Sequence, residues 1–250
     1  MGVPAEFGPE FLDWFRQRTE AYWANHEPRA FEDYVRGGVG DADWQQGTRW
    51  LDGLPEEAIR VVEREWSLAF PPDYRLFLQR LHCVDRPMVG AYFTGEDGRK
   101  LEPAYKPSFC NWLTDKDTIQ QKFKWILEGL EFDVEHNDLW LESWGEKPES
   151  LNAQKDSLRS AVSQAPKLVP ILSHRYLVAE PPLPGNPVLS VYQSDIIVYG
   201  DDLRSYLLNE FAPILGLPTW KGELNRERIQ TYLAIPFWGE LLADNGLDNE

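Results

Sequence analysis

The run Phe70-Pro71-Pro72-Asp73 constrains this chain more than any other feature. Each proline lacks a backbone N–H and turns the residue before it away from helical ψ, so no helix runs through it. Apolar residues nonetheless recur at helical spacing on both sides. Upstream, Pro55 suits a first helical position, Glu56 and Glu57 suit the positive end of a helix dipole, and Ile59, Val62 and Trp66 form a stripe at i, i+3, i+7. Downstream, Asp73 opens a second helix with Tyr74, Phe77, Leu78 and Leu81 on one face. Residues 54–82 therefore read as a helical hairpin joined by a proline turn.

The flanking segments are less sharply patterned. Residues 9–36 read as helical through Phe11, Trp14, Phe15 and Tyr22, with a short turn carrying Phe31, Tyr34 and Val35 before Gly37, Gly38 and Gly40 break the pattern. This stretch is an appended arm or a capping element. Residues 83–114, rich in Gly and Pro, suggest loops and one or two short strands, as at Val89–Phe93. An amphipathic helix over 115–130 uses Ile119, Phe123, Ile126, Leu127 and Leu130, and a more polar one over 151–164 stops at Pro166.

Beyond Pro166 the period changes. Leu168–Leu172 and Tyr176–Val178 are strand candidates, and Val188–Tyr192, Gln193-Ser194 and Asp195–Tyr199 read as a β-hairpin. Its apolar residues fall on both faces, which suggests central strands. Gly200-Asp201-Asp202 supply a turn and a helix N-cap before an amphipathic stretch of Leu203, Tyr206, Leu207, Phe211 and Ile214. The expected architecture is α+β, a mixed, mainly antiparallel β-sheet surrounded by helices. Residues 1–50 form an N-terminal helical arm, 51–216 the main domain, and 217–250 a helical extension with an acidic tail.

Composition narrows the function classes. The formal net charge of -16 repels phosphates and anionic lipid and steers basic partners inward, unless it merely maintains solubility. Two isolated cysteines, Cys83 and Cys110, make no disulfide framework and suggest a reducing compartment. No basic-then-apolar leader opens the chain, and no stretch nears the roughly 20 apolar residues that span a bilayer. The expectation is a cytoplasmic protein with no cofactor, no nucleic acid and no membrane partner.

Few residues suggest chemistry. His82-Cys83 is the only Cys–His adjacency, and neighbours on a helix point about 100° apart, so it reads as a helix-end polar residue beside a buried thiol. On a strand, Asp133 and Glu135 would share a face, with His136 beside them and His174 further on. That group is a hydrolase-like or metal cluster, or else its histidines are hydrogen-bonding pins between loop and sheet. Trp140, Trp144 and Trp112 are an aromatic recognition patch or core residues. Asp201 and Asp202 are most simply helix caps. The chain has no phosphate-cradling glycine loop and no G-x-S-x-G elbow.

Two segments carry a family resemblance. Glu63–Leu81, EREWSLAFPPDYRLFLQRL, matches a helix–"LP-x-D-Y-x-x-F-L" pattern at Pro72, Asp73, Tyr74, Phe77 and Leu78. Leu168–Phe211, with VPILSHRYL and GNPVLSVYQSDIIVYGDDLRSYLLNEF, completes it. Together they resemble the SUKH superfamily, which includes fungal cell-wall-assembly regulators and many bacterial toxin-immunity proteins, over about residues 50–215. The sequence departs from that pattern at Ser67-Leu68-Ala69-Phe70, where the family's first helix usually ends in glycine, and in its long insert at 84–167. The resemblance implies a non-catalytic module that binds a protein partner, such as a basic toxin, through a variable surface. Asp133, His136, Trp140, Trp144, His174 and Asp195 are the candidate binding residues on a shared concave surface beside the sheet. The alternatives are an enzyme built on Asp133/Glu135/His136 and a scaffold subunit that self-associates.

Overall fold

The computed structural model describes residues 2–29, 42–94, 100–106, 108–219 and 221–247. Phe31, Tyr34, Val35 and the glycines at 37, 38 and 40 lie outside these.

The proline turn forms as the sequence dictates, with one refinement. Helix α2 (Glu56–Trp66) ends four residues before Phe70, because Ser67 takes the left-handed conformation at φ 51° and ψ 44°. Its N–H and that of Leu68 then satisfy the last helical carbonyls. Helix α3 (Pro72–Arg80) starts on a proline, where a missing N–H costs nothing. Glu63 locks the turn: one carboxylate oxygen accepts from the Phe70 N–H at 2.9 Å and the other from Arg75 at 2.5 Å.

Helix α1 (Pro9–Asn25) lies against α3 and puts Phe11, Phe15 and Trp23 into the same apolar cluster as the helix pair. Phe15 meets Phe211 edge-on at 5.0 Å, and Trp50 meets Phe109 at 4.8 Å. The Trp50 indole donates to the Thr19 hydroxyl at 2.8 Å, and that hydroxyl donates to the Phe15 carbonyl at 2.8 Å. Burying each such ring contributes about 1.5–3 kcal/mol, so α1 is integral to this core.

The fold is α+β; among the described residues the strand pairing is antiparallel and divided between two small sheets. β1 (Ala42–Asp43), β2 (Met88–Thr94) and β3 (Lys100–Lys106) form one. β4 (Leu168–Leu172), β5 (Arg175–Val178), β6 (Val188–Tyr192) and β7 (Asp195–Gly200) form the other in sequential order. This is the expected α+β, mainly antiparallel arrangement, with the described strands divided between two sheets. The strands of the late hairpin are not both central: β7 ends the described ladder, and Ile197 is exposed.

The four-stranded sheet is a middle layer. Val169, Ile171, Leu177 and Val188 face the cluster of α1, α2 and α3, while Tyr176, Val178, Leu189, Val191, Ile196 and Val198 face a second cluster. Alternation at period two makes this possible, and explains apolar residues on both faces. The second cluster is completed by α4 (Lys116–His136), α5 (Leu151–Gln164), α8 (Ile229–Leu233) and α9 (Trp238–Asp244). Helices α6 (Leu203–Glu210) and α7 (Ala212–Leu215) follow β7. Asp202 caps α6 by accepting from the Ser205 N–H at 2.7 Å, whereas Asp201 takes the Tyr232 hydroxyl at 2.5 Å and so anchors the C-terminal segment. The helix pair touches the connection from β5 to β6: the Asp73 carboxylate, 8% exposed, accepts from the Gly185 N–H at 2.9 Å.

Candidate functional site

Helix α4 positions the site. It was expected over 115–130 but runs to His136, so Asp133, Glu135 and His136 sit on a helix. Residues two apart on a helix point about 200° apart, and the strand-like convergence of Asp133 and Glu135 does not occur. Asp133 turns inward, 2% exposed, where its oxygens accept from the Ser194 N–H at 2.7 Å and the Asn137 amide at 2.6 Å. Glu135 faces solvent and pairs with Lys155 at 2.5 Å, a contact that holds its carboxyl below the usual range. His136 approaches Glu135 at 3.8 Å and packs on the Phe132 ring at 4.4 Å.

The same helix crosses the tips of both β-hairpins. The Lys122 ammonium donates to the Ser173 carbonyl at 2.5 Å in the β4–β5 turn, and the Tyr176 hydroxyl donates back to the Lys122 carbonyl at 3.1 Å. Two and three turns further on, Gly129 and Asp133 receive the β6–β7 turn. A Cβ at Gly129 would lie 3.0 Å from the Gln193 Cα, so glycine here is what allows hairpin and helix to approach so closely. Ser173 and Gln193 both take left-handed conformations, at φ 51° and 57°, which fixes where the two tips point.

Around this junction large apolar side chains face water. Tyr192 is 56% exposed, Phe132 46% and Trp125 36%, and the Trp125 and Tyr192 rings meet edge-on at 5.8 Å. Asp195 is exposed and pairs across the hairpin with Tyr192, which places both on one face of the sheet together with Ile197. His174, in the neighbouring turn, is half-buried; its carbonyl accepts from Val191 and its ring meets the Ser173 hydroxyl at 3.1 Å. The hairpin tips thus carry His174 and Asp195, Asp133 supports the second tip from inside α4, and His136 lies at the end of that helix against Phe132. The ridge is formed by Trp125, Phe132 and Tyr192. Sequence reasoning missed these three, although Trp125 and Phe132 stand off the stripe of Ile119, Phe123, Ile126 and Leu130, and an aromatic on the polar side of an amphipathic helix is a legible signal.

Trp140 and Trp144 belong to a separate neighbourhood. Trp140 precedes the 3-10 turn Glu142–Trp144 and Trp144 ends it, and the two meet edge-on at 5.4 Å; Trp140 donates to the Gly145 carbonyl at 2.8 Å, and Trp144 stacks on Phe237 at 5.8 Å. Trp112 is no surface residue: it is 0% exposed, and its indole donates to the Tyr74 hydroxyl at 2.9 Å.

The remaining polar groups are internal. The His82 ring, 3% exposed, accepts from the Trp112 N–H at 3.3 Å, and burial pulls its pKa down to about 4. Burial pushes the Cys83 thiol up to about 12 and the Cys110 thiol up to about 11, away from the thiolate form that reacts. Arg175 donates to Glu210 at 3.3 Å and to the Ser190 hydroxyl at 2.7 Å, and lies 3.8 Å over the Tyr199 ring. Burial raises the Glu210 carboxyl against the pull of that guanidinium.

Among the described residues, no group of three or more His, Cys, Asp or Glu is placed to hold a metal ion, and no helix is long and apolar enough to cross a membrane. Compared with known proteins, the chain matches no family model, no curated protein and no solved structure.

Proposed function

We propose that this chain is a non-catalytic protein-binding module of the immunity or regulatory kind, and that it grips a basic partner through the junction of α4 with the hairpin tips. One observation carries the reading: Trp125, Phe132 and Tyr192 stand exposed where α4 meets the hairpin tips. Aromatic side chains bury large area with few rotors and are over-represented among the residues that dominate binding energy. Keeping three of them in water is unfavourable for an isolated protein and useful for one that docks. The net charge of -16, with Asp195 beside the ridge, suits a basic partner and speeds encounter. The SUKH resemblance of the two motif segments supports the same class of role.

The test is affinity capture from native cells with a photo-crosslinking residue in place of Tyr192, followed by sizing of the complex. A basic protein joined to position 192 at a one-to-one ratio supports the proposal. Crosslinks that survive unchanged in a Trp125→Ser background, or a purified chain that turns over a substrate, would count against it.

A further inference from the structure

A second surface feature is lined by residues of α4 other than those of the ridge. Between the C-terminal ends of α2 and α5, the middle of α4 and the start of β4 is a cleft of about 290 Å³. It opens at the seam of the two apolar clusters: Trp66, Leu68 and Phe123 belong to the first, and Ile126, Leu168 and Trp238 to the second. The floor is sealed, because Leu168 and Trp238 are each 3% exposed and the Trp238 indole donates to the Pro166 carbonyl at 2.7 Å. The Trp66 and Phe123 rings, 5.6 Å apart, line one side and remain half-buried.

Two polar groups of the lining are donors, the Lys167 ammonium and the Trp66 indole. Lys167, the one charged residue of the lining, stands exposed; its ammonium donates to the Ser67 carbonyl at 2.5 Å, and its backbone N–H to the Glu180 carboxylate at 3.4 Å. Ser163 has its hydroxyl turned to the Ser160 carbonyl at 2.7 Å. The Trp66 indole N–H is buried with no partner among the described residues. A buried donor without an acceptor is unfavourable, and an ammonium at the edge of an apolar slot attracts an acceptor-rich anion. The volume falls at the small end of the ~300–1,000 Å³ typical of ligand pockets.

The geometry points to this cleft as a binding site for a short apolar carboxylate, its chain in the Trp66–Phe123–Trp238 slot and its carboxylate at Lys167. This site is independent of the partner-binding ridge. It predicts two separable contributions, one from chain length and one from head-group charge.

The experiment is calorimetric titration of the full chain with octanoate, hexanoate, octanol and octylammonium. Octanoate should bind at one site, roughly tenfold tighter than hexanoate because two methylenes are added. Octanol should bind about tenfold more weakly than octanoate, and octylammonium should show no binding. Lys167→Met, at an exposed position, should abolish the preference for octanoate over octanol. Leu127→Trp should fill the slot and remove binding of both. If that variant shifts the unfolding midpoint, the Lys167→Met comparison alone decides. Equal affinity for the three eight-carbon probes, a preference for octanoate that survives in Lys167→Met, or no binding at all would overturn the assignment.

Discussion

Acid should weaken this fold through one imidazole, by an amount the structure sets. His82 is enclosed at the end of α3 and accepts from the Trp112 N–H, so its neutral form is the one the fold accommodates. Burial lowers its pKa from the ordinary 6.5 to about 4, against a smaller opposing pull from Asp115. Between those values the unfolded chain binds a proton that the folded chain refuses. The stability is therefore fully present above pH 6.5 and is lost as pH falls toward 4. The gap corresponds to about 3 kcal/mol in total, of which roughly 2 kcal/mol disappears between pH 7 and pH 5. The perturbation is His82→Asn, which retains an acceptor and tolerates the left-handed backbone at φ 56°. Urea unfolding of both proteins at pH 7 and pH 5 isolates the effect, since other titrating groups cancel in the difference. Asp73 and Glu210, whose carboxyls burial raises, act with the opposite sign in both proteins. The variant should lose about 2 kcal/mol less than the parent on acidification. Parallel losses, or a His82 resonance that titrates near 6.5 in the folded protein, would refute the reasoning.

Other perturbations test the joints of the fold. Asp73→Asn should cost roughly 1–3 kcal/mol in urea unfolding, because an amide meets the Tyr74 and Gly185 N–H groups with only one acceptor oxygen. Arg175→Met should destabilise by about 3 kcal/mol by leaving the Glu210 carboxylate without its cation, and Arg175→Met/Glu210→Leu should recover most of that. Trp144→Ala should speed amide hydrogen exchange in α8 and α9, because it removes the ring stacked on Phe237 just before α9.

The proline-bounded helix pair was legible because Pro71 and Pro72 act locally and the Ile59/Val62 and Tyr74/Phe77/Leu78 stripes are strong. The late strands were legible for the same reason, as runs of β-branched residues around the two-residue turn at Gln193. What periodicity cannot report is which strand ends the ladder, so the exposure of Ile197 on β7 had to come from tertiary arrangement. The length of α4 was underread because its last turns carry Phe132, Asp133 and His136, which break the stripe; the helix continues there since Asp133 is bound to the Ser194 turn 61 residues away. That long-range contact also moved Asp133 from candidate surface residue to internal support. Trp140 and Trp144 read in the sequence as an aromatic recognition patch; that Trp144 stacks on Phe237, far along the chain, is a tertiary contact no local pattern reports.

The central claim is that the Trp125–Phe132–Tyr192 ridge is where another protein docks. It is tested most directly by the dissociation constant of the crosslinked partner for the parent chain and for Trp125→Ser/Tyr192→Ser. The account predicts at least a hundredfold weakening, since each central aromatic is worth on the order of 2 kcal/mol, with a cooperative thermal transition retained because neither ring belongs to the buried core. An unaltered dissociation constant in a folded double variant would contradict it.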